Sequence, residues 1–138
     1  MSNTTHSFAT PAPAGLGALA VACFGFGAVF LDQVTLAGYP LLAAWLIGGG
    51  IVQYTTAVIE LKDHNITGGN VFLFFAAFFM FGAAVSVLSK FFIVFCIKQG
   101  LVSASIFDLG KYKIVEGWCW MAGASFLTIV STTCVIPA

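Results

Sequence analysis

Four long apolar runs, separated by short polar segments, organise this chain. They cover residues 14–31, 41–60, 70–89 and 117–136. An α-helix needs about 20 apolar residues to cross the ~30 Å hydrocarbon core of a bilayer, and each run has about that length. The strands of a membrane barrel alternate apolar and polar positions, which these runs do not. The pattern predicts an all-α fold: a polytopic integral membrane helical bundle with four transmembrane helices.

The third run has two possible ends. Lys90 interrupts it, and residues 91–97 are apolar again. A single helix over residues 71–97 would be about 40 Å long at 1.5 Å per residue, so it would have to tilt, break or protrude from the bilayer. We expect the span to reach residue 97 only with one of those adjustments.

The polar segments are too short to hold a soluble domain. Residues 1–13 form a polar N-terminal tail rich in Ser, Thr, Pro and Ala, and residues 14–138 form the membrane domain. The tail has no Lys or Arg, so it lacks the basic region of a secretory signal, and we expect no cleavage. The longest linker, residues 98–113, closes with two lysines and is expected to lie on the membrane surface.

Composition and charge narrow the class of protein. The chain is 60% apolar and 7% charged, with five lysines, no arginine and five acids, whereas a soluble domain has about 25% charged residues. So few charges could not cover a soluble surface, which leaves the lipid bilayer as the surroundings. Zero net charge without arginine argues against a nucleic-acid partner. A bacterial inner membrane and a eukaryotic organelle or plasma membrane both fit these features.

Enzyme chemistry has no candidate residues in this sequence. Phosphate-binding glycine loops, serine-hydrolase elbows and metalloprotease motifs are missing. The two histidines, His6 and His64, lie outside the apolar runs, and the four cysteines are scattered singly. We therefore expect no catalytic residue, no cofactor and no metal.

The remaining polar residues allow two interpretations. Residues 53–56 (Gln-Tyr-Thr-Thr) cluster in the second run, Asn70 opens the third, and hydroxyls recur over residues 125–133. Such groups donate hydrogen bonds to a small anion without trapping it, or they bond across helices and to their own carbonyls. Glu60 and Glu116 lie at helix ends, where an exposed carboxylate is the simpler interpretation.

Three consecutive glycines, residues 48–50, lie inside the second run. Glycine weakens a helix and removes side-chain bulk. The triplet therefore favours a close approach of another helix, or a local opening beside a cavity.

Two segments resemble those of a known transporter family. Residues 11–16 (Pro-Ala-Pro-Ala-Gly-Leu) resemble the Asn-Pro-Ala-Pro-Leu-Gly-Leu signature that opens the acetate uptake transporter (succinate–acetate permease) family. Residues 49–53 (Gly-Gly-Ile-Val-Gln), with Glu60 seven positions after Gln53, resemble that family's Gly-Gly-Ile-Ala-Gln…Glu segment in its second helix.

A third segment is similar to the start of the family's third helix. It comprises Asn65, Gly68, Phe72 and residues 75–79. The three segments agree with the family in order and approximate spacing, and the match covers roughly residues 10–82.

The resemblance implies transport of a small monocarboxylate such as acetate, or of succinate. It also implies that transport is coupled to protons and that the protein is a homo-oligomer. The family forms homo-hexamers of six-helix protomers, and a Phe, a Tyr and a Leu narrow the pore of each protomer. The Phe and Tyr positions fall on Leu19 and Phe75, and the Leu belongs to a fifth helix. The substrate-pathway residues implied by the resemblance are Pro11, Pro13, Leu19, Gln53, Glu60, Asn65 and Phe75.

The chain also departs from the family pattern. Thr10 and Ala14 stand where the family has Asn and Leu. We expect the loss of that Asn amide, and of the Tyr hydroxyl at Phe75, to remove two hydrogen-bond donors for a carboxylate. Four helices in place of six leave an alternative function. It is a non-transporting membrane scaffold or accessory subunit of a larger membrane complex, whose other chains supply the missing helices.

Overall fold

The computed structural model describes residues 10–105 and 109–135, with side chains described for residues 10–105 and 114–132. The helices are α1 (Ala12–Phe30), α2 (Tyr39–Lys62), α3 (Ile66–Phe74), α4 (Ala83–Lys98) and α5 (Leu109–Val135). A π-helical segment, Phe75–Gly82, joins α3 to α4, and a 3₁₀ turn, Leu36–Gly38, precedes α2. No strand occurs among these residues, which confirms the all-α prediction.

Four helical stretches are long and apolar enough to cross a membrane. They are Ala12–Phe30, Leu36–Lys62, Ile66–Lys98 and Ile114–Thr132. Each of them contains most of one predicted span. The chain is an integral membrane protein with four candidate spans, as predicted.

The helices extend beyond the apolar runs. α1 begins at Ala12, so it includes the last two residues of the predicted polar tail. The second of them, Pro13, is tolerated because it lies in the first turn of the helix. α5 begins at Leu109 rather than at residue 117, so the linker predicted over 98–113 is shorter than expected. Hydropathy marks only the part of a helix that lies in hydrocarbon, and these helices continue past it. Residues 1–9 of the predicted tail and residue 136 of the predicted fourth span lie outside the described residues.

Lys90 does not break the third span. The helical stretch Ile66–Lys98 has 33 residues, or about 50 Å at 1.5 Å per residue, so it must tilt in the bilayer or protrude from it. The Lys90 Nζ donates a hydrogen bond of 2.9 Å to the Tyr39 hydroxyl. The same ammonium lies 4.8 Å from the centre of the Tyr39 ring, a distance at which the ring face attracts a cation. A partner at the start of α2 thus accommodates the charge within the helix.

One face of α2 is buried along its whole length. Seven of its eight buried positions recur at alternating intervals of four and three residues: Tyr39, Ala43, Leu46, Gly50, Gln53, Ala57 and Glu60. The eighth, Thr56, lies beside Ala57. α1 packs against this face, and so do α3 and the π-helical segment. The centre of the core is small and apolar, with Ala43, Leu46 and Met80 almost fully buried.

The glycine triplet serves both predicted purposes, at different residues. A Cβ on Gly50 would lie 2.9 Å from the Phe81 ring and 3.1 Å from the Met80 Cβ, so this position needs glycine for the close approach of the π-helical segment. Gly48 faces the other way. It lines an open apolar groove of about 470 Å³ together with Val21, Ala44, Trp45, Gly49 and Val52.

Alanine at Gly50 is therefore expected to destabilise the fold, and alanine at Gly48 is not. The added methyl of Gly50→Ala meets the Phe81 ring and Met80, and overpacking of this kind costs about 1–2 kcal/mol. Within the described residues, a Cβ on Gly48 has no neighbour within 4 Å, so Gly48→Ala is the matched control. Titration of mixed micelles with a denaturing detergent measures both free energies of unfolding. Equal losses at the two positions would contradict this account of the packing.

The chain divides into two compact units, residues 1–92 and 93–138. In the second unit, most described residues of α5 are exposed. In the stretch 114–132, Gly123 is buried and Phe126, Leu127 and Val130 are half-buried. The hydroxyls of Ser125, Thr128 and Thr132 donate to carbonyls of α5 itself. For these three residues the interpretation as self-bonded helix hydroxyls is correct, and the candidate site lies in the first unit.

Candidate functional site

A polar cluster forms where α1 begins, α2 ends and α3 begins. The up-and-down order of the helices brings these three points to one end of the first unit. The cluster comprises Thr10, Gln53, Thr56, Glu60 and Asn65, and we call it the Glu60 cluster.

Glu60 is the acidic centre of the cluster. Only 5% of its surface is exposed. Its Oε1 accepts a hydrogen bond of 2.6 Å from the Thr10 hydroxyl, and its Oε2 accepts one of 2.5 Å from the Asn65 amide. Both donors are neutral. The interpretation of Glu60 as an exposed terminal carboxylate is therefore wrong, whereas Glu116 is exposed as expected.

Asn65 holds the turn that places Glu60. Its side-chain oxygen accepts from the Gly68 amide at 3.1 Å, which caps the start of α3. Its amide nitrogen, on the other side, reaches Glu60. His64, with φ of 61° in the left-handed region, reverses the chain between the two helices. One asparagine thus fixes both the entry of α3 and the orientation of the carboxylate.

Gln53 lies on the same face of α2, two helical turns before Glu60. None of its surface is exposed. Its Nε2 donates to the Gly15 carbonyl of α1 at 3.2 Å. Its Oε1 is buried and has no hydrogen-bond partner in the described part of the chain. The side chain therefore joins α1 to α2 through one atom and leaves the other unsatisfied.

Gly15 allows α1 to reach Gln53. A Cβ at this position would lie 2.6 Å from the Phe72 ring and 3.0 Å from Thr56 Cγ2, so no larger residue fits without a shift. The Thr56 hydroxyl donates back to the Val52 carbonyl at 2.9 Å. Glycine on α1 and small groups on α2 thus produce a tight contact among three helices.

The Glu60 carboxyl can keep both of its hydrogen bonds whether it is ionised or protonated. An ionised carboxylate accepts from both neutral donors, as observed. A hydroxyl both donates and accepts, so a proton on Oε1 would reverse the bond to Thr10 while the bond from Asn65 stays. Protonation can therefore change the link between α1 and α2 without disturbing the turn into α3.

Of the seven predicted pathway residues, Glu60 and Asn65 are joined by a hydrogen bond, and Gln53 lies on the same buried face of α2 two turns before Glu60. Pro11 and Pro13 lie at the start of α1, directly after Thr10. Leu19 and Phe75 are half-buried and lie about one turn beyond Gly15 and Phe72 respectively. Among the described His, Cys, Asp and Glu side chains, no group of three or more is arranged to hold a metal ion.

Thr10 was not among the predicted pathway residues, yet its hydroxyl donates to Glu60. Whether the missing Asn amide costs a donor to a substrate carboxylate stays a prediction. The signal for this contact in the sequence is weak, because Thr10 and Glu60 are 50 positions apart. Only the docking of α1 on α2 reveals the pair.

Comparisons with models of protein families, with curated proteins and with solved structures found no match. The resemblance to the acetate uptake transporter family therefore stays a prediction.

Proposed function

We propose that this chain is a membrane transport protein for a small monocarboxylate such as acetate, or for succinate, and that it couples transport to protons at Glu60. The observation that carries the proposal is a buried carboxylate held by neutral donors from two other segments. Buried ionisable residues inside membrane helices are typical of proton relays and substrate pathways, and Glu60 is buried near the end of such a helix. The cluster also coincides with the segments that resemble the transporter family.

The proposed proton step follows from the hydrogen bonds of Glu60. Deprotonated, the carboxylate ties the start of α1 to the end of α2 through Thr10. Protonated, it becomes a donor to Thr10 and carries no charge. Ionised Glu60 would repel a carboxylate at this end of the helices, and protonated Glu60 would admit it. The anion would then take the Glu60 proton and move inward as the undissociated acid.

The proposed pathway runs inward from the Glu60 cluster. Pro11 and Pro13 would set the course of the chain at its mouth, Glu60 and Asn65 would handle the charge, and Gln53, Leu19 and Phe75 would line the apolar interior. Apolar constrictions of this kind gate by losing water. The proposed assembly is a homo-oligomer or a larger membrane complex in the bilayer.

Uptake of labelled acetate into proteoliposomes tests the function directly. The pure protein is reconstituted, and an inward proton gradient is imposed. Undissociated acetic acid crosses lipid unaided, so the rate in empty vesicles of the same lipid is subtracted. We expect a protein-dependent rate that rises with the gradient.

A rate equal to that of empty vesicles would contradict transport by this chain alone. Gentle extraction followed by mass measurement of every chain then separates the alternatives. Stable co-purification with other membrane proteins would favour the scaffold or accessory subunit.

A further inference from the structure

The unpartnered oxygen of Gln53 is the most unusual polar atom in the described part of the chain. It is shielded from solvent, and no donor reaches it. Leaving a buried acceptor without a hydrogen bond reduces stability, and most native buried polar groups are paired. The hydrogen bond from Nε2 to Gly15 gives this glutamine a structural role in joining α1 to α2, but that role leaves the oxygen unexplained.

The orientation of the Gln53 amide is fixed by its neighbours. The Gly15 carbonyl can only accept, so the atom facing it must be Nε2. The nearest hydroxyl on the same face of α2 belongs to Thr56, and its proton is bonded to Val52. Oε1 is therefore an acceptor that must find its donor outside these groups.

We propose that the Gln53 Oε1 accepts a hydrogen bond from the undissociated acid form of the substrate and discriminates against its anion. This inference rests on the proposed function. The chemistry required is an O–H donor, which the hydroxyl of a carboxylic acid supplies. A carboxylate anion has only acceptors and cannot pair with this atom.

The position of Gln53 fits that role. It lies two turns from Glu60, about 10 Å along α2 at 1.5 Å per residue, on the buried face that both side chains share. With no exposed surface, the acceptor is closed off in this conformation. The inference requires α1 and α2 to part at Gly15, where a hydrogen bond of 3.2 Å and close packing against Phe72 and Thr56 hold them together.

The first test compares the stability and uptake of two variants. Gln53→Leu removes the acceptor, together with the Nε2 donor to Gly15, and keeps the bulk. Thr55→Val removes an exposed hydroxyl that donates to its own helix. We expect Gln53→Leu to unfold within a few degrees of the wild type while acetate uptake falls about tenfold or more. Thr55→Val should transport at the wild-type rate. A fall in uptake matched by a large fall in unfolding temperature would overturn the proposal, because it would show a structural role.

The second test observes the acceptor itself and separates substrate from trapped water. The other two glutamines, Gln33 and Gln99, are exposed and can be replaced by glutamate, so that a ¹³C label on the glutamine side chain reports Gln53 alone. Its carbonyl stretch is recorded by infrared spectroscopy with acetic acid at low pH, with buffer alone at the same pH, and with sodium acetate at high pH. We expect a shift to lower wavenumber with acetic acid alone.

The outcomes distinguish this inference from the proposed function. The same band position in buffer and in acetic acid would overturn the inference, since either water fills the site or nothing binds, even where the wild type transports acetate. A shift with acetic acid in a protein that shows no flux would support the acid site and contradict the transport function.

Discussion

Proton-driven acetate uptake is expected to fall about a hundredfold when Glu60 is replaced by alanine, the lower end of what removing an acid–base group costs. The variant deletes the carboxyl that takes up the proton and leaves the Thr10 hydroxyl and the Asn65 amide without their acceptor. Initial rates in proteoliposomes, measured with and without an inward proton gradient, give the effect. Glu116→Ala, which changes an exposed acid, should leave the rate unchanged.

Glu60→Gln separates the proton from the hydrogen bonds. Glutamine can accept from Asn65 through its oxygen and donate to Thr10 through its nitrogen, which reproduces the pattern of protonated glutamate. We therefore expect its free energy of unfolding to stay within about 1 kcal/mol of the wild type. Its residual uptake should no longer respond to the proton gradient. A gradient response like that of the wild type would remove Glu60 from the coupling mechanism.

Gly15→Ala is expected to destabilise the protein by about 3 kcal/mol, at the upper end for overpacking. The added methyl would overlap the Phe72 ring at 2.6 Å and meet Thr56 at 3.0 Å. Moving α1 away relieves the overlap but lengthens the bond between Gln53 and the Gly15 carbonyl. Acetate uptake should therefore fall together with the free energy of unfolding in mixed micelles.

Gly17→Ala is the matched control on the same helix. A Cβ there has no neighbour within 4 Å among the described residues, and alanine stabilises a helix relative to glycine by up to about 1 kcal/mol. The two variants should therefore change stability in opposite directions. A stable Gly15→Ala protein would show that the three-helix contact is looser than described.

The four membrane-spanning helices could be predicted from the sequence, because each helix that crosses the hydrocarbon core needs about 20 consecutive apolar residues. Gln53 and Glu60 could be placed on one face because residues seven apart lie two turns apart on a helix. Asn65 follows so soon after Glu60 that the turn brings them together. All three were named from the family resemblance, and the burial of Glu60 was not predicted.

Contacts between distant parts of the chain could not be predicted. The partner of Lys90 is Tyr39, 51 positions earlier, and the donor to Glu60 is Thr10, 50 positions earlier. Both pairs depend on how helices dock, which apolar composition does not specify. The π-helical segment was also missed, because its residues are as apolar as those of an α-helix.

The buried face of α2 has a consequence for motion. Its four-and-three spacing runs from Tyr39 to Glu60, a seven-residue repeat that makes helices wrap around each other at a shallow crossing angle of about 20°. A helix that packs against this buried face can stay in contact with it along its full length. We therefore expect α1 to move as a unit rather than to separate from α2 at Glu60 alone. A bend for that movement would fall in the turn after α1, where Asp32 adopts a left-handed φ of 56°.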